Sequence, residues 1–309
     1  MGQGRWSVIP DVLFCFYSRF AMCAHRLRSL REMNRHVRVY GLYSGPSSEE
    51  EEAKSCLSPW LDDFYSFPER NDSKWKRMNF DCMITRWYRD RGHRLSWESI
   101  FVQHWDLLAL TPLATLFPDL QADELRLSGY RPVKEIEAWW PWVQAANGHR
   151  RKYDAFREHI ATEFGYEGGL FASLLILACL PRTFVDRYAS FGPPEIGFVE
   201  YRLPTMAKIF GTRIAKDERH QTWWAADPST QEVRAADRTL NAVGVEVPFS
   251  VILLEACQPD GKRIFHPVYR DIPDWQLRPF HARWLYMVCQ PRAAAQHLLK
   301  QASVSVRQT

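Results

Sequence analysis

No apolar run in this chain is long enough to cross a bilayer. The longest, Gly168 to Leu180, stays short of the roughly 20 residues that a spanning helix needs. Charge of one sign is also lacking. Forty Lys and Arg against 36 Asp and Glu leave a net +4, too mild to demand a polyanionic partner. The seven cysteines contain no CxxC pair, their number is odd, and several sit inside apolar runs such as Leu13 to Phe16. That argues against a disulfide framework and a zinc knuckle, and for buried free thiols in a reducing, cytoplasmic setting. No signal peptide is expected either: one arginine and a short apolar stretch broken by Pro10 and Asp11 fit a first strand better. Nothing indicates a membrane anchor, and no internal repeat is visible.

What is present suffices for a large core: 309 residues, 46% hydrophobic and 14% aromatic, enough for one big domain with an extension. Asp11 to Tyr17 reads as a buried strand, Ala21 to Asn34 as a helix with Ala21, Ala24, Leu27, Leu30 and Met33 on one face, and Val37 to Tyr43 as a second strand. This βαβ unit predicts parallel pairing, with ligand bound at the carboxyl ends of the strands. The polar stretch Ser44 to Lys54 predicts a solvated loop or helix start. Asp63 to Phe67 is expected as a third strand, Lys74 to Arg91 as one helix and Ile100 to His104 as a fourth strand. The order is that of an α/β protein.

Further on, Trp139, Trp140 and Trp142 read as core or lid packing, with a sugar platform as the alternative. His149 to Lys152 forms a basic cluster. Leu170 to Leu177 is expected as an apolar strand after Gly168 and Gly169. Leu203, Met206, Ala207 and Phe210 mark the apolar face of a helix that Gly211 closes.

The segment from Ser99 to Leu113 is the most informative. Two apolar runs flank His104-Trp105-Asp106, so an aspartate sits where a buried strand ends, at the rim of a sheet. An unpaired carboxylate there costs several kcal/mol or shifts its pKa strongly, so Asp106 needs a cation, an arginine or a hydrogen-bonded ligand beside it.

Taken in order, Phe16-Tyr17-Ser18-Arg19-Phe20, VYGLYSG at 39–45, KWKRMNFD at 74–81, the strand ending at Asp106, GGLFASLLIL at 168–177, FVEYRLPTMAKIFG at 198–211 and FHPVY at 265–269 resemble a GT-A fold glycosyltransferase of the nucleotide-diphospho-sugar transferase superfamily. The resemblance covers roughly residues 10–270. It implies a GT-A-like, Rossmann-type mixed sheet with helices on both faces: 1–113 as the nucleotide-sugar-binding half, 114–270 as the acceptor-side half of the same domain, and 271–309 as a C-terminal helical extension.

In that family an acidic DXD-type motif ending the fourth strand holds a divalent metal on the donor's diphosphate. Here His104 replaces the first acid and Asp106 keeps the second. The resemblance therefore implies Asp106, His104 and the late His266 as ligands of manganese or magnesium. A packed loop histidine is the other reading of His266. A carboxylate that takes the acceptor's proton is implied at Glu200, with Glu195 as second choice; a helix-start acid is the other reading of Glu200. The donor, a UDP-sugar or relative, would meet Tyr17, Arg19, Tyr43, Lys74, Lys76, Asp81, Trp105 and Asp106. The implied activity is hexosyl-type transfer to a hydroxyl acceptor. Two alternatives stay open: an altered relative that binds nucleotide or glycan without turnover, and a nucleic-acid-modifying enzyme. The latter would use Arg86, Arg89, Arg91, Arg94 and the 149–152 cluster on phosphates.

Overall fold

A computed structural model describes residues 7–68, 72–145, 148–217, 219–220, 222–230 and 235–272. The first part runs β1 (Asp11–Phe16), α1 (Phe20–Met33), β2 (Val39–Tyr43), α2 (Glu50–Leu57), β3 (Asp63–Ser66), α3 (Ser73–Met78), α4 (Phe80–Asp90), β4 (Ser99–His104) and β5 (Leu108–Ala109). It continues through α5 (Leu113–Leu116), β6 (Glu124–Ser128), β7 (Arg131–Pro132), α6 (His149–Phe164), β8 (Phe171–Ala172) and β9 (Ala178–Pro181). Next come α7 (Arg182–Phe191), α8 (Val199–Ile209), β10 (Arg213–Asp217), α9 (Phe249–Cys257) and β11 (Ile264–Phe265).

Seven strands form one sheet in the order β10-β6-β9-β4-β1-β2-β3, all parallel except β9, which opposes β4 and β6. The residues of β1 and β2 are all buried, which is why DVLFCF and VYGLY read as continuous runs and not as alternating patterns. Right-handed crossovers put α1 and α2, which pack together, on one face of the sheet; the return from β3 to β4 across β1 puts α4, packed on α7 and α8, on the other. This is a mixed, mostly parallel sheet with helices on both faces, the α/β architecture expected. Because β6, β9 and β10 complete the sheet begun by β1 to β4, residues on both sides of position 113 share one domain. Apart from its first two residues, the extension expected over 271–309 lies outside the described residues.

The chain leaves β1 toward β2 and β3, then returns to β4 on the other side of β1. Such a switch point opens a crevice beyond the carboxyl ends of the two central strands. Two expected elements differ from the sequence pattern, and both border this crevice. The helix expected over 74–91 breaks at Asn79 (φ −128°, ψ 36°), whose amide donates to the Trp75 carbonyl at 3.2 Å and whose Oδ1 accepts from Arg202 at 3.2 Å. The strand expected over 170–177 is confined to Phe171–Ala172. Beyond it, Leu177 N–H donates to Ser128 Oγ (3.1 Å), Leu175 N–H to Ser173 Oγ (3.2 Å), and Leu175 takes φ 50°. Side-chain hydroxyls have replaced ladder partners there, and an apolar pattern alone cannot report that.

Helix α8 carries Pro204 inside it. Proline has no N–H for the carbonyl four residues back, which is that of Glu200. That carbonyl instead accepts from the Ser173 N–H at 2.9 Å, tying the first turn of α8 to the bent segment.

Candidate active site

A cavity of about 880 Å³ lies at the carboxyl ends of β1 and β4, within the size range of ligand sites. It is lined by Tyr17 after β1, by His104, Trp105 and Asp106 ending β4, by Lys74, Lys76 and Arg77 of α3, by Glu200 of α8 and by His266 after β11. Asp106, Glu200 and His266 therefore converge, although they are far apart in sequence.

His266 is delivered by a small ladder. β11 pairs antiparallel with β5, directly after Asp106, and the Val268 N–H donates to the Asp106 carbonyl at 2.8 Å. The His266 Nδ1 lies 2.6 Å from the Asn241 carbonyl, which only accepts, so Nδ1 carries the hydrogen. Nε2 then faces Asp106 Oδ1 at 3.4 Å. Burial pushes the Asp106 carboxyl up, but the hydrogen bond it accepts from His266 outweighs this and holds it below the usual range.

The pair has features of a metal anchor: two donor atoms of different type side by side, with the imidazole oriented by a carbonyl on its other nitrogen. The expected three-residue set is not assembled. Among the described residues no group of three His, Cys, Asp or Glu is placed to hold an ion. The His104 ring lies 4.7 Å from that of Phe80, and burial lowers its pKa to about 4, so it is a neutral, ring-packed residue at pH 7. Asp106 and His266 remain the pair able to anchor a cation.

Glu200 is 8% exposed, and among the described residues its carboxyl has no hydrogen-bond or charged partner. Burial alone pushes it up to about 8. The reading of a helix-start acid is fulfilled as well, because Glu200 stands in the first turn of α8. Its neighbour Arg202 is fully buried on Asp81: Nε reaches Oδ2 at 2.8 Å, Nη2 pairs with Oδ1, and the Tyr188 hydroxyl donates to Oδ2 at 2.5 Å. Asp81 is therefore saturated and turned away from the cavity; its role is to fix α4 to α8, and not to meet a nucleotide.

Three other expectations need correction. Tyr43 is buried with its hydroxyl on the Pro46 carbonyl at 2.7 Å, and does not line the cavity. Arg19 lies outside the lining, donating to the Tyr269 carbonyl at 3.2 Å beside the Trp105 ring. Glu195 accepts from Trp75 Nε1 at 2.7 Å and lines a separate cleft with Lys74, Arg151 and Lys152. Tyr17, half exposed, lines the cavity edge-on to Trp105, with ring centres 5.5 Å apart. Lys76 lines it too, its ammonium on the Ser44 carbonyl and its pKa lowered by burial.

Sequence reasoning missed Arg77, Leu174, Leu175, Trp223 and Trp224 as lining residues. The adjacent tryptophans at 223 and 224 were a visible signal. Trp139, Trp140 and Trp142 also line the cavity, with Trp142 stacked on Phe198 at 4.0 Å. Among the arginines weighed for nucleic acid, Arg86 pairs with Asp90 at 2.8 Å and Arg150 with Glu137 at 2.8 Å. The described cysteines 15, 23, 56, 82, 179 and 257 are free thiols. No described helix is long and apolar enough to cross a membrane.

No protein-family profile and no curated protein sequence match the chain. Among solved structures it is similar to the apo form of mouse xyloside xylosyltransferase 1, at 13% identity over 78% of this chain and 99% of that one, with a TM-score of 0.41. It is also similar to the apo structure of the WbbM bifunctional glycosyltransferase, at 10% identity over 70% of this chain and 40% of that one, with a TM-score of 0.37.

Proposed function

We propose that the protein is a glycosyltransferase of the hexosyltransferase type that moves a sugar from a nucleotide-sugar donor, a UDP-sugar foremost, to a hydroxyl acceptor. The observation that carries this reading is the convergence of Asp106, His266 and Glu200 on one cavity at the switch point of the sheet.

The reaction needs two things, and the cavity offers a candidate for each. Negative charge grows on the departing diphosphate and needs cations beside it. Lys74, Lys76 and Arg77 supply fixed positive charge from α3. Asp106 and His266 would hold a divalent cation, which would add Lewis-acid stabilisation of the leaving group. One carboxylate oxygen with one imidazole suits manganese better than magnesium. The acceptor hydroxyl, in turn, must lose its proton. Glu200, pushed up to about 8 and without a competing partner, is the base in reach of the cavity. Trp105 and Tyr17, which line the same cavity, would meet the nucleoside.

A UDP-sugar should raise the melting temperature of the wild type, more so with manganese. Failure of every nucleotide diphosphate sugar to do so would remove this reading.

A further inference from the structure

The wall around Glu200 differs in chemistry from the side of the cavity that α3 forms. Its chain neighbours Phe198 and Val199 line the cavity, and the Ser173–Glu200 backbone bond brings up Leu174 and Leu175. Trp140 and Trp142 pack on Phe198, with ring centres 6.5 and 4.0 Å away. Apart from indole N–H groups and the carboxyl itself, these side chains offer no hydrogen bond. The charged lining residues Lys74, Lys76, Arg77 and Asp106 come from α3 and the turn after β4, and of these Arg77 meets the wall, its guanidinium 5.6 Å from the Trp142 ring centre.

We propose that Trp140, Trp142, Leu174, Leu175, Phe198 and Val199 form an acceptor subsite for a hydroxyl borne on an apolar ring system, an aryl alcohol and not a sugar. The inference rests on the glycosyl-transfer reading above. A sugar acceptor brings several hydroxyls into the site, and each one buried without a partner costs about 1–3 kcal/mol. A flat apolar ring brings one hydroxyl and fills the wall by contact. In the transfer, the acceptor oxygen bonds to the anomeric carbon as the bond from that carbon to the donor phosphate oxygen breaks. The diphosphate leaves with the electron pair, and Glu200 takes the hydroxyl proton. A phenolic hydroxyl, which ionises near 10 as in tyrosine, is close to the value of about 8 at Glu200, and an aliphatic hydroxyl is much further away.

The test compares 2-naphthol with maltotriose as ligands of the full-length wild type, by calorimetry and by product mass in the presence of UDP-sugars. The inference expects naphthol to bind at least tenfold more tightly, with a negative heat-capacity change, and to receive the sugar. Trp142→Ala should weaken naphthol about tenfold. Donor turnover with maltotriose as the preferred acceptor would overturn the inference and leave the glycosyl-transfer reading standing. Absence of donor binding would overturn both.

Discussion

The imidazole of His266 turns Nε2 toward Asp106 Oδ1 at 3.4 Å while its Nδ1–H is held by the Asn241 carbonyl. An imidazole in this orientation meets the carboxylate oxygen favourably in two ways, through a proton on Nε2 or through a cation at their junction. Asn241 thus sets which nitrogen serves the cavity, although it does not line the cavity itself.

Asp106→Asn and His266→Ala should each lower turnover of a nucleotide sugar by about 100-fold, the scale of losing one group that stabilises developing charge. Both should unfold cooperatively near the wild-type temperature. Full activity in either variant would show that its side chain is a bystander.

His104→Phe separates ligand from packing. A ring packed at a tilt on Phe80 is replaced by one of similar shape, so activity should stay within a few-fold of wild type. A loss equal to that of Asp106→Asn would return His104 to the ligand set.

Glu200 makes the activity depend on pH. A base raised to about 8 is protonated below that value, so kcat/KM should climb about tenfold per unit up to pH 8 and then level off. Stability should move the opposite way. Between the ordinary value of 4.5 and about 8 the unfolded chain has released this proton and the folded chain has not, so stability falls as pH rises through that window. Glu200→Gln should therefore lose activity, yet gain a few kcal/mol at pH 8 relative to wild type, on the order set by the shift. The gain should vanish below pH 4.5. A variant less stable than wild type at pH 8 would contradict the burial argument.

Asp81→Ala strands the buried Arg202 guanidinium, and removing one partner of a buried pair costs about 3–5 kcal/mol. Denaturant unfolding should show that loss. Tyr43→Phe, by contrast, gives up one hydrogen bond worth about 1 kcal/mol and should leave donor affinity within a few-fold, because Tyr43 does not itself line the cavity.

The βαβ start and the strand ending at Asp106 were legible because buried parallel strands are continuous apolar runs. Glu200 entered through the resemblance, and the helix pattern by itself gave it only as a helix-start acid. Asp81 was misread since nothing in KWKRMNFD announces Arg202, more than a hundred residues away, as its partner. The segment 173–177 looked like a strand because burial sets its composition, whereas Ser128 and Ser173 set its path. His104 illustrates the same limit: in sequence a ligand and a packed ring look alike, and the Phe80 ring beside it becomes visible only in the structure.

The most direct measurement is release of free nucleotide from a panel of sugar nucleotides, with and without manganese, by wild type and by Asp106→Asn. The account predicts release from a UDP-sugar by the wild type and a loss of about 100-fold in the variant. No release from any sugar nucleotide, or equal release by both proteins, would contradict it.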